Sequence, residues 1–124
     1  MCFGAGSAWK ENKRVTKVAI QDKYLETLTV LGDVQSAVDL ALQRYTIEQV
    51  TAKLADLRQR EAGYQAKYGM DYPTFVQRLA TDADFVHQVE SRLSKVWEVD
   101  LADWEFCYKG IQDWTQRLQQ LLLG

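Results

Sequence analysis

Residues 15–21 read VTKVAIQ, with four β-branched side chains (Val15, Thr16, Val18, Ile20) in seven positions; this is the strongest strand signal in the chain. Alternation puts Thr16, Val18 and Ile20 on one face and Val15, Lys17 and Ala19 on the other. A single strand cannot make a sheet, and no second stretch of the sequence qualifies. The simplest partner is the same strand in a second copy, so a homodimer is expected.

Helical signals follow the strand. Asp22 reads as an N-cap, Leu25, Leu28 and Leu31 fall at helical spacing, and Gly32 reads as a stop. Asp33 reads as the cap of a second helix whose stripe is Val34, Val38, Ala41, Leu42 and Tyr45. Ile47, Val50, Leu54 and Leu57 carry that stripe on toward Lys67, and Gly69 ends it. Asp71-Tyr72-Pro73 restarts a helix, with Phe75, Val76 and Leu79 on its apolar side. Asp82 or Asp84 caps one long helix expected from Phe85 to Leu122. From Trp97 onward that helix carries a near-heptad seam of Trp97, Leu101, Trp104, Tyr108, Ile111, Thr115, Leu118 and Leu122. Gly110 is a place where it could bend.

Composition narrows the function classes. At 124 residues, with 47% apolar and 26% charged residues, the chain is one ordinary globular domain in size and not a disordered one. One proline and few glycines argue against an all-β fold. The formal charge is -2, but it is unevenly spread. Lys10, Lys13, Arg14, Lys17 and Lys23 make the head basic, and Glu98, Asp100, Asp103, Glu105 and Asp113 make the tail acidic. Two cysteines without pattern, no signal-peptide core and no apolar run of spanning length imply a cytoplasmic protein with no membrane partner. The one histidine, His87, has no cysteine or carboxylate at ligand spacing, and no phosphate-binding loop, dinucleotide fingerprint or nucleophile elbow occurs. No catalytic residues, metal, cofactor or small-molecule substrate are therefore expected, and the chain reads as a binding protein, not an enzyme.

The order strand, short helix, glycine, longer helix in VAIQDKYLETLTVLGDVQSAVDLALQRY resembles the ribbon-helix-helix family, which includes the Arc, MetJ and CopG repressors and many bacterial antitoxins. The resemblance covers about a third of the chain. It implies a mostly α protein with a strand-helix-helix head and a long helical C-terminal arm. By position it assigns Val15, Lys17 and Ala19 to base edges in the major groove. Lys13 and Arg14 would supply phosphate contacts, and Ser36 would hold a phosphate at the amide end of the second helix. Residues 1–12, which contain Gly and Ser and lack periodicity, read as a flexible start; the resemblance adds a dimerisation and DNA-binding region over 13–68 with an extended second helix, and a helical partner-binding region over 69–124. The phrases KYGMDYPTFVQRL and DLADWEFCYKGIQDW are also similar to small proteins of toxin–antitoxin loci.

The tail carries the second expectation. Trp97, Leu101, Trp104 and Tyr108 share a helix face, with Asp100, Asp103 and Glu105 beside it. Tryptophan and tyrosine anchor many interfaces, and acidic flanks suit a basic partner such as an RNA-cutting toxin. The same stripe suits the protein's own core, which is the more common fate of such a stripe. Two functions follow. One is an antitoxin or small repressor that binds operator DNA and a basic protein; the other is a helical adaptor that binds only protein and uses its strand for dimerisation.

Overall fold

The structure, a computed structural model, describes residues 14–123, and all regular structure among them is helical. The helices are α1 (Asp22–Leu31), α2 (Val34–Tyr68), α3 (Tyr72–Thr81), α4 (Ala83–Gln88) and α5 (Trp97–Leu123), with a π-helical turn, Val89–Leu93, after α4. The described residues gather into two compact units, one ending at Tyr45 and the other Thr46–Leu122. Among them, no helix is long and apolar enough to cross a membrane.

Several boundaries follow from local chemistry. The Asp33 carboxylate accepts the Ser36 amide at 2.9 Å at the start of α2, as Asp71 accepts Thr74 at 2.9 Å and Asp82 accepts Phe85 at 3.1 Å. Pro73 sits in the first turn of α3, where its missing N–H costs nothing. Gly69, at φ 74°, makes the left-handed turn that ends α2. At α1 the N-cap is Gln21, with no side-chain bond, and Asp22 is the first helical residue.

The expected fold, with a strand opening its strand-helix-helix head, is overturned: the described residues are all-helical in their regular structure. Residues 14–20 hold no strand, and Val15 and Val18 are 87% and 70% exposed. A strand exists only through its hydrogen-bonded neighbour, and the described chain has none to offer. The β-branched run also resists helix formation, so regular structure begins only at Asp22.

The long C-terminal arm is also corrected. In place of one helix from 85 to 122, α4 passes into the π-turn and the chain breaks at Ser94, whose backbone is extended (φ -165°, ψ 133°). The cause is packing. Phe85 and Trp104 would lie about 28 Å apart along a straight helix. Instead both meet Phe75, with ring centroids 5.8 and 5.2 Å from it. The chain has to turn between them, and α5 returns to the core.

That core lies within Thr46–Leu122. Tyr68, Phe75, Phe85, Val89 and Trp104 are buried together, with Tyr64, Met70, Tyr72, Leu79, Trp97 and Leu101 packed around them. The unit ending at Tyr45 differs: none of its described residues is buried.

Candidate functional site

The second unit is organised along the contact between α2 and α5. Trp104 is fully buried, and four rings surround it: Tyr64 and Tyr68 of α2, stacked at 5.8 and 5.7 Å, Phe75 of α3 at 5.2 Å, and Tyr72 edge-on at 5.7 Å. Its indole N–H has no acceptor among the described residues. The aromatic contacts offset that loss.

Two acidic residues one turn apart on α5 lock this packing. Asp103 accepts the Tyr64 hydroxyl at 2.6 Å and the Arg60 guanidinium, which also reaches Asp56 at 3.3 Å. Asp100 accepts the Tyr68 hydroxyl at 2.6 Å and Lys67 at 2.5 Å. Each carboxylate thus takes one tyrosine and one cation, both from α2. Hydrogen bonding to Asp103, with burial, pushes the Tyr64 hydroxyl up to about 12. Burial, with the bond to Asp100, raises that of Tyr68 further. Burial alone would raise Asp100; the bonds from Lys67 and Tyr68, with the lysine charge, outweigh it and hold the carboxyl below its ordinary range. Cys107 is fully buried beside this network, and burial first, then the charge of Asp103, raises its thiol.

Further along α5, Gly110 stands close to Leu57 of α2. A Cβ on Gly110 would stand 2.9 Å from Leu57 Cδ1. Gly110 lies inside the unbroken α5, so its role is close approach and not a bend. Beside it, Leu57, Phe106 and Trp114 border two clefts. One, of about 420 Å³, carries Lys53, Asp56 and Arg60; the other, of about 390 Å³, carries Ala102, Glu105, Lys109 and Asp113. Phe106 is 63% exposed between them. Lys53 and Arg117 lie over the Trp114 ring at 5.7 and 5.4 Å.

The residues expected to meet a protein partner are thereby divided. Trp104 lies inside the protein's own core, and Trp97 and Leu101 are half-buried against it. Tyr108 is half-buried and stacks on Tyr72 at 4.8 Å. Asp100 and Asp103 are bound to α2 side chains, and Glu105 accepts Lys109 at 2.6 Å along α5. Sequence reasoning missed Arg60, Tyr64, Lys67 and Tyr68, whose spacing of three and four along α2 was the signal that could have found them.

The residues expected to meet DNA form no built site. Lys13 and the start over 1–12 lie outside the described residues. Arg14, Val15, Lys17 and Ala19 are exposed in the segment without regular structure, and the Ser36 amide is taken by Asp33. Among the described residues, no group of three or more His, Cys, Asp or Glu side chains could hold a metal ion. Comparison with protein-family models, curated proteins and solved structures found no match.

Proposed function

We propose that the protein is a helical adaptor that binds only protein and self-associates through the unit ending at Tyr45. One observation carries the reading: no described side chain in that unit is buried, yet Val30 is 87%, Leu31 75% and Tyr45 61% exposed. Helices with an apolar stripe gain most of their stability by burying it, and this unit has nothing of its own to bury it against among the described residues. A second copy is the occupant present at the protein's own concentration, and closed homo-oligomers are the commonest assemblies.

The adaptor reading is favoured over an antitoxin or repressor because operator reading required a strand ribbon, which the described residues do not form. The test is light scattering of the full chain across micromolar concentrations. A dimer that the double substitution Leu31→Lys, Tyr45→Lys converts to a monomer of unchanged helicity supports self-association. A wild-type monomer throughout the range removes it.

A further inference from the structure

The seam of α5 that the sequence marks as partner-binding is turned inward, which leaves a different face of the same helix outward. On that face Val99 is 69% exposed, Ala102 is exposed and Phe106 is 63% exposed, at spacings of three and four. They run into the cleft of about 390 Å³ floored by Leu57 and Gly110 and walled by Phe106 and Trp114. An exposed phenylalanine and two exposed aliphatic residues on one line are an unusual cost for a helix that has already buried its own aromatic stripe.

The charges at this cleft say what fits it. Asp113 lines it, is exposed and has no ion-pair partner among the described residues, and Glu98, exposed one helical turn before Ala102 on the same helix, adds a second unpaired carboxylate beyond the cleft's edge. Glu105 adds a third carboxylate, and the one cation lining the cleft, Lys109, is bound to it. The neighbouring cleft carries Lys53 and Arg60, so the negative character belongs to this side of Phe106. A second copy presenting the same face would set acidic residues against acidic residues. A basic surface would gain both attraction and apolar burial.

We propose that the cleft beside Phe106 docks an amphipathic helix of a partner protein, which places a bulky aliphatic side chain over Leu57 and Gly110 and flanks it with lysine or arginine. The groove between two packed helices has the shape that accepts a third, read at positions three and four apart. This rests on the adaptor reading, but on residues other than those proposed for self-association.

The test uses the full-length, isotope-labelled protein and an 18-residue helical peptide with leucine on one face and lysine on its flanks. The control peptide carries glutamate in place of every lysine. Amide shifts should concentrate at Val99, Ala102, Phe106 and Gly110. Phe106→Ala should weaken binding about tenfold with an unchanged thermal melt, and Glu98→Lys with Asp113→Lys should reduce both affinity and its salt dependence. The proposal is overturned if the glutamate peptide binds equally well, if the shifts fall only in residues 14–45, or if Phe106→Ala binds like wild type. Light scattering of Phe106→Ala separates the two readings: its oligomeric state should match wild type whether or not the peptide binds.

Discussion

Asp103 of α5 accepts the Tyr64 hydroxyl of α2 at 2.6 Å. This bond joins residues 39 positions apart in the chain and is paired with the Arg60 guanidinium on the same carboxylate. Tyr64→Phe keeps the ring stacked on Trp104 and removes only the hydroxyl, so it should cost about 1–2 kcal/mol at neutral pH. The folded-state value of Tyr64, about 12, lies above its ordinary 10. Its contribution is therefore complete below pH 10 and lost as pH rises toward 12. Urea midpoints taken from pH 9 to 11.5 should fall more steeply for wild type than for Tyr64→Phe.

Asp100 gives the opposite pH dependence. Its carboxyl is held below the ordinary range, so its stabilisation is present above about pH 4 and disappears as pH falls through the lower folded-state value. Asp100→Asn leaves Lys67 without its counter-charge and should be less stable than wild type at pH 7. The two proteins should converge in strongly acid solution. Denaturant midpoints at pH 7 and pH 2.5 check this, and an unchanged gap at the lower pH would contradict it.

Two aromatic residues two positions apart should respond very differently to truncation. Trp104→Ala empties the centre of the core and should cost about 3–5 kcal/mol. Phe106→Ala removes an exposed ring and should stay within about 0.5 kcal/mol. Trp104→Phe should fall between, because it keeps the ring contacts and discards an indole N–H that has no acceptor among the described residues. Calorimetric melts of the three variants rank them.

Gly110 tests the close approach. In Gly110→Ala the new methyl meets the tip of Leu57, a flexible side chain that can shift. The gain in helix propensity, about 1 kcal/mol, should roughly cancel that adjustment. Gly110→Leu meets Leu57 with the same Cβ and must send its remaining atoms into the neighbouring cleft at a cost in side-chain entropy, so it should be no more stable than Gly110→Ala. A Gly110→Leu more stable than Gly110→Ala would contradict this.

Much of the local structure was legible in residues alone. Asp33, Asp71 and Asp82 announce helix starts because a short carboxylate satisfies amides that the helix leaves open, and Gly69 announces a stop because it turns left-handed without strain. The seam of Trp97, Leu101 and Trp104 was visible as periodicity, and that periodicity fixes which residues share a face.

What the sequence could not decide is what each face meets. The run 15–21 has strand chemistry, but a strand depends on a hydrogen-bonding neighbour, and the described residues supply none. The stripe on α5 could have been core or interface. Only the turn at Ser94 settles it, by bringing α5 back so that Trp104 enters a cage made by α2 and α3. Asp100 and Asp103 looked like charges for a partner because sequence spacing shows neighbours on one helix only; Arg60, Tyr64, Lys67 and Tyr68 stand on another, more than 30 positions away. Helix periodicity is a local property of the backbone, whereas burial depends on contacts between distant residues that only the folded chain brings together.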